Sequence, residues 1–402
     1  MITFALFMIR EIYCKLNSNS GNTLSIERIS DRIYSKTVQK SDLSPEETAF
    51  LSEILSEQQQ CQTKAEKKLP TWIKHQCLFA SVPLEQCTSE TVADAKASLF
   101  SGKTMLSITG GLGVDDALFA KNFGQITSLD PDAGLNAIAR FNNKRMQIGN
   151  INRLDTTAEE FLLKTPDPWS LIYADPDRRA SGNRMATNVA AYSPDIISLY
   201  KQYGSLAEKW IIKLSPMTDM QWFEKQMGQP VNFYVFSERS EVKELLAVLA
   251  HNIHTGVGLV HCDENGTHIF KDDNTFPFQT TESLIFCEMT SGAIKAGMRE
   301  YIIEQTGLKA VSRHGYYLTG NTVIPSALGR CFALKHQFTG SLNHIGDQLK
   351  KMGIVQANVS ARDFVLPAEE ARKKLQLKDG GDVYLFFTGK EVKTCYVTEK
   401  LR

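Results

Sequence analysis

Three short stretches carry residue types that can do chemistry, and each follows an apolar run. The first, Thr109-Gly110-Gly111-Leu112-Gly113, links Met105–Ile108 to a helical stretch with Ala117, Leu118 and Ala120 on its apolar side. Glycines in such a turn let the backbone approach a ligand where a Cβ would collide. A second run, Ile126–Leu129, ends on Asp130. An acidic residue about 20 residues past the turn suits hydrogen bonds to ribose hydroxyls. The second stretch is Leu171-Ile172-Tyr173-Ala174-Asp175-Pro176-Asp177-Arg178-Arg179. It delivers Asp175 and Pro176 at the C-terminal edge of a strand. Proline stiffens the backbone there, and Asp175 can accept a hydrogen bond from a target amine or take its proton. Arg178 and Arg179 suit the phosphates of a nucleic acid. The third stretch, Lys213-Leu214-Ser215-Pro216-Met217-Thr218-Asp219, follows the next strand and faces the same cleft. The plain alternatives are a turn without a ligand, a capping aspartate with solvated arginines, and a turn closed by proline.

Glycine spacing separates two cofactor classes. A G-x-G-x-x-G motif starting at Gly111 needs glycine at position 116, which is Asp116. A nicotinamide dinucleotide therefore loses its closest-packing residue. Thr109, Gly111 and Gly113 in alternate places suit S-adenosylmethionine (SAM) in a class I methyltransferase. Metal chemistry finds less support. His251, His254, His261, His268 and Cys262 cluster, but their spacing matches no standard zinc pattern. No G-x-S-x-G elbow and no P-loop occur.

The elements that must position these residues alternate. Candidate strands are Met105–Ile108, Ile126–Leu129, Met146–Ile148, Leu171–Ala174, Trp210–Leu214 and Val231–Ser237, with helices at Ala133–Asn142 and Ala158–Lys164. This is the pattern of a parallel, doubly wound α/β sheet, whose ligands bind beyond the C-terminal strand ends. Glu241–Leu249 reads as a helix or as a last, antiparallel strand. Gly256–Phe270 reads as a hairpin turning at Asn265-Gly266. Upstream, the region to about residue 100 reads as helical. One helix starts at Ser44-Pro45, and another runs to Ala97, capped by Thr88 or Ser89. Glu300–Gly307 reads as a helix. The tail alternates strands (Phe332–Phe338, Val383–Phe387) with helices (Ser341–Met352, Ala368–Gln376), a small α+β domain. From residue 330 it holds 13 Lys plus Arg against 8 Asp plus Glu, a local net of +5.

At 402 residues, 42% hydrophobic and 22% charged, with zero formal net charge, the composition is that of an ordinary globular protein of several domains. The balance argues against a strongly basic nucleic-acid binder and leaves room for a local patch. Eight scattered cysteines without C-x-x-C fit free thiols in a reducing cytoplasm. The apolar opening ITFALFMI is too short to span a bilayer and reads as an extension or docking segment.

Six stretches together resemble one family: KLPTW (Lys68–Trp72), LEQCTSE (Leu84–Glu90), TGGLGVD (Thr109–Asp115), YADPDRR (Tyr173–Arg179), KLSPMTD (Lys213–Asp219) and EVKELL (Glu241–Leu246). The chain is similar to bacterial class I SAM-dependent methyltransferases with a C-terminal THUMP-like domain, a Bacteroidetes-type family. The resemblance implies a helical region over 1–100, a SAM-binding Rossmann-like domain over 101–270, a small ferredoxin-like segment over 271–329 and a THUMP-like domain over 330–402. It implies SAM at Thr109, Gly110, Gly111, Gly113, Asp115 and Asp130, with Gln86 and Ser89 lining the methyl-transfer cleft. Asp175, Pro176 and Lys213 become catalytic candidates, and Arg178 and Arg179 RNA contacts. The partner implied is structured RNA, tRNA or rRNA, with no membrane and no obligatory protein partner. One place departs from the pattern. The strand before the turn usually ends in an acidic residue that helps hold the methionine amine, and here that place is Ser107. The loss is worth about 1–3 kcal/mol, and Asp115 is a candidate to compensate. The first expectation is therefore an RNA-base methyltransferase, the second a non-catalytic RNA-binding protein with a degenerate SAM site, and the third a small-molecule methyltransferase. Replacing Ser107 by Asp is expected to strengthen SAM binding.

Overall fold

The computed structural model describes residues 45–164, 168–177, 193–250, 255–271, 276–311 and 316–401. Arg178, Arg179, His251, His254 and the apolar opening lie outside them. The chain divides into two compact units, residues 1–233 with 244–255, and residues 234–243 with 256–402. The expected boundaries at 270 and 329 both fall inside the second unit.

The first unit begins with helices α1 (Pro45–Lys68), α2 (Pro70–Lys74), α3 (Ser81–Gln86) and α4 (Glu90–Ser98). Between α2 and α3 the segment 77–80 is fully buried without regular structure. Its backbone polar groups still need partners, and side-chain amides supply them. Asn142 bonds both the N–H and the carbonyl of Leu78 at 2.8 Å, and Gln58 does the same for Phe79 at 3.0 and 2.5 Å.

Strand and helix then alternate: β1 (Gly102–Ser107), α5 (Val114–Phe119), β2 (Phe123–Leu129), α6 (Ala133–Arg145), β3 (Ile151–Leu154), α7 (Ala158–Leu162), β4 (Trp169–Ala174), α8 (Ile196–Tyr203), β5 (Ala207–Leu214), α9 (Met220–Met227), β6 (Asn232–Glu238) and β7 (Glu241–Ala250). The strand order within this unit is β3-β2-β1-β4-β5-β7. The first five strands are parallel, and β7 runs antiparallel to β5. Glu241–Leu249 is thus a strand. The order reverses at β1, which pairs with β2 on one side and β4 on the other, and this makes a switch-point crevice. Met146–Ile148 is not a strand. Met146 caps α6, its N–H bonded to the Asn142 carbonyl at 2.9 Å, and the third strand starts at Ile151.

The second unit holds β6, β8 (Gly256–Asp263) and β9 (Gly266–Phe270) in that order, the last two forming the expected hairpin. Gly266 sits at φ +121°, a backbone region that glycine favours. Next come β10 (Gln279–Met289), α10 (Ser291–Lys295), α11 (Arg299–Thr306), β11 (Lys309–Ala310), β12 (Tyr317–Val323), β13 (Gly329–Thr339), α12 (Leu342–Lys351), β14 (Asn358–Phe364), α13 (Ala368–Lys374), β15 (Val383–Gly389) and β16 (Thr394–Lys400). Seven of these strands form one sheet, β11-β12-β10-β13-β16-β15-β14, drawing on both sides of residue 329. One face packs Leu385, Phe387, Cys395 and Val397 with Ile345 and Leu349 of α12 and with Leu375. The other gathers Phe286, Tyr317, Phe332, Phe386 and Tyr396. The sheet curls, because Glu288 of β10 meets Ser360 (2.8 Å) and Arg362 (3.1 Å) of β14, four strands away. No described helix is long and apolar enough to cross a membrane.

Candidate active site

The glycine turn leaves the C-terminal end of β1 and opens α5. Gly111 and Gly113 adopt φ +51° and +83°, where a side chain is strained. The Gly111 N–H donates to Asp130 Oδ2 at 2.8 Å, and Asp130 Oδ1 accepts the Asp132 N–H at 2.9 Å. Each carboxylate oxygen retains a lone pair for a ribose hydroxyl. Burial pushes the Asp130 carboxyl above its ordinary range. The turn rests on a guanidinium. Arg153 of β3 donates to the Gly111 carbonyl (2.7 Å), Asn136 Oδ1 (2.8 Å), Ser128 Oγ (3.1 Å) and Asp116 Oδ2 (3.2 Å). A Cβ on Gly110 would lie 2.5 Å from both Arg153 Nη1 and Ser128 Oγ, so glycine is required there for packing. Burial raises the Asp116 carboxyl, and Arg153, Ser128 and Ser107 oppose that rise. Position 116, where a dinucleotide fold wants glycine, is thus occupied by the turn's counter-ion.

A second polar network lies beside this one. Lys96, fully buried in α4 among Val92, Ala93, Ala95 and Ala97, meets Glu244 at 2.7 Å, Asp115 at 3.0 Å and the Tyr173 hydroxyl at 3.1 Å. Tyr173 donates to Asp115 Oδ2 at 2.7 Å. Lys213, at the end of β5, donates to Asp175 Oδ2 at 2.6 Å and to Thr88 Oγ1 at 3.1 Å, with Glu244 at 3.8 Å. Burial disfavours the charge on Lys213, yet Asp175, Glu244 and Asp115 outweigh it and raise its pKa. For Asp115 burial again opposes ionisation, and Lys96, Lys213 and Tyr173 hold the carboxyl below its usual range.

Both networks border one cleft of about 530 Å³. Thr109, Gly110, Gly111, Gly113, Asp115 and Asp130 line it, as do Gln86, Asp175, Pro176 and Lys213. Thr109 Oγ1 accepts the Asp175 N–H at 2.6 Å, tying the glycine turn to the end of β4. A Cβ on Gly111 would meet nothing nearer than the Thr109 carbonyl at 4.0 Å, so the turn leaves open room on the cleft side. Two expectations change. Ser89 occupies the N-cap position of α4, but its hydroxyl makes no capping bond, and the residue does not line the cleft; Thr88 beside it does. Asp115 is saturated by Lys96, Tyr173 and Thr88 (3.3 Å), so it stiffens the floor and is not a free group for the methionine amine. Ser107 is completely buried beside Asp116 and away from the cleft lining. An aspartate there would place two carboxylates against one arginine, so the expected gain in SAM binding has no physical basis.

Sequence reasoning missed Lys96, Arg153, Tyr173, Thr88 and Glu244 as site residues. Lys96 left a signal, a lone lysine on an alanine-rich helix face. Glu244 lay inside EVKELL, a quoted motif without an assigned role. Among the described residues no cluster can hold a metal. Instead His261 bonds Ser237 at 2.9 Å and His268 meets Asp263 at 3.2 Å.

A glycine turn and an acidic strand end at the switch point of a doubly wound sheet define the architecture of class I methyltransferases, here with a THUMP-like tail. Residues 329–400 match the family described as "THUMP domain-like". The fold is that of a "putative methyltransferase from Porphyromonas gingivalis W83", at TM-score 0.74 and 23% identity over 98% of each chain. An rRNA methylase from Streptococcus thermophilus overlaps 40% of this chain and 93% of its own, at 15% identity and TM-score 0.29. A Pyrococcus abyssi tRNA (uracil-54, C5)-methyltransferase overlaps 43% and 39%, at 12% identity and TM-score 0.30. A search of curated proteins gave no match.

Proposed function

We propose that this protein is a SAM-dependent methyltransferase that modifies a base in structured RNA. The observation that carries the reading is the single cleft joining the Thr109–Gly113 turn and Asp130 to Asp175-Pro176 through the 2.6 Å Thr109–Asp175 bond. The turn and Asp130 would hold the nucleoside end of SAM. Asp175, braced by Lys213, would orient the acceptor base. Bound SAM supplies an electrophilic methyl group and a neutral leaving thioether. The protein's own contribution is then chiefly positioning.

RNA is supported by the second unit, where cations lie over aromatic rings. Arg330 stands 5.8 Å from the ring centre of Phe332, Arg362 5.8 Å from Tyr316, and Lys400 5.9 Å from Tyr384. Such pairs suit phosphates and exposed bases. Ser107, the feature that favours a degenerate cofactor site, points to Asp116 and away from the cleft, which weakens that second reading. The proposed compartment is the cytoplasm. Calorimetry with SAM, S-adenosylhomocysteine and NAD tests the cofactor. Tight NAD binding without a response to either SAM species defeats the reading. Methylation mapping of RNA from a deletion strain against its parent identifies the target.

A further inference from the structure

We propose that the methyl acceptor is a nitrogen still carrying a hydrogen, an exocyclic amine of the base, received at Asp175 Oδ1. The inference rests on the cofactor reading above and narrows the substrate at the same cleft. Asp175 keeps 34% of its side chain exposed at the cleft while Lys213 behind it keeps 11%. Lys213 occupies Oδ2, and no described residue donates to Oδ1. The free oxygen therefore offers one acceptor, held in direction by the Thr109 bond to its own backbone and by the lysine. Glu244 and Thr88 fix that lysine in turn.

The alternatives lack their chemistry. Methylating an unactivated ring carbon needs a thiolate that first adds to the ring. Cys87 does line the cleft, but its Sγ turns to the Leu84 carbonyl at 3.3 Å, and burial pushes the thiol up to about 11. A hydroxyl must lose its proton by the time it attacks, so it needs a strong base. A full proton on Asp175 would break the Lys213 ion pair, and Lys213 carries its charge already. An aromatic amine needs neither. Its lone pair forms the N–C bond as the methyl C–S bond breaks, with that electron pair staying on sulfur. The hydrogen displaced from nitrogen then passes from contact with Asp175 to water. Throughout, the carboxylate faces the positive charge that develops on nitrogen.

Sinefungin, which carries an ammonium group where SAM carries its methylated sulfur, reads this acceptor without any RNA. Titration calorimetry of the full chain should find it bound at least tenfold more tightly than S-adenosylhomocysteine. Asp175→Asn should remove most of that difference and leave S-adenosylhomocysteine within about threefold. Equal affinities in the wild type overturn the amine acceptor while leaving the SAM site standing; binding of neither ligand overturns both readings. As a second arm, total RNA from a deletion strain is incubated with isotopically labelled SAM and digested to nucleosides. Label on an exocyclic nitrogen supports the inference, whereas label on a ring carbon or on the ribose 2′-oxygen refutes it.

Discussion

Two charged networks sit side by side beneath one cleft and are built on different arithmetic. In the first, Arg153 faces Asp116 one to one, and its other donors go to the neutral Asn136, Ser128 and Gly111 acceptors. Both side chains are almost fully buried. In the second, Asp115, Asp175 and Glu244 share two ammonium groups, Lys96 and Lys213. The balanced network has no capacity left for a ligand and props up the glycine turn. The unbalanced one keeps a carboxylate oxygen in reserve and exposes it on the cleft side. Burying charge without complete pairing is costly, so an excess carboxylate at an open edge marks where a ligand is to complete the set. The second unit offers a further contrast. Buried Glu288 meets Arg330, Arg362 and Ser360, so there the excess is cationic and faces outward.

Substitutions on either side of this comparison should separate in kind. The largest effect is expected at the exposed end. Asp175→Ala should lower turnover by roughly 10²–10⁴-fold, with S-adenosylhomocysteine affinity and melting temperature nearly unchanged. A large loss of stability with the same activity per folded molecule would make Asp175 a structural residue. Arg153→Ala should do the reverse. It leaves Asp116 buried without its partner, at a cost of about 3–5 kcal/mol, visible in chemical denaturation. Arg153→Lys should recover only part, because one ammonium cannot replace four directed bonds.

Ser107→Asp tests the same network with smaller force. It should lower stability by about 1–3 kcal/mol, since a second buried carboxylate competes for Arg153. Tighter SAM binding in that variant would instead place residue 107 within reach of the ligand. In the second unit, Lys400→Ala should weaken RNA binding and reduce the salt slope by about 1, leaving S-adenosylhomocysteine binding alone; filter binding at two salt concentrations reads both. The smallest effect concerns Cys87. Its thiol lies at about 11 rather than the ordinary 9.0, chiefly through burial. Only the thiolate reacts, so alkylation should be slow at pH 8 and rise steeply towards pH 11. Peptide mass spectrometry after iodoacetamide pulses would follow it, and a midpoint near 9 would mean that the thiol is open to water.

Local sequence was enough to place the parallel strands, the glycine turn and the residues at their ends. Parallel strands are buried on both faces and read as continuous apolar runs, and a turn that needs positive φ announces itself in glycines. Strands buried by halves escaped. Asn358–Phe364 is intermediate in burial at every position, and its polar sequence gave no period to read. The third strand was placed five residues early, because Met146 and Ile148 are apolar residues that cap a helix. Only the tertiary structure decided which charges meet. Thr88 and Glu244 are 156 residues apart, Lys96 and Tyr173 are 77 apart, and Arg153 and Asp116 are 37 apart. No local pattern encodes such pairs. Each side chain alone reads as a surface lysine, arginine or glutamate, the usual place for charge. It becomes buried only because folding delivers its counter-ion to the same point.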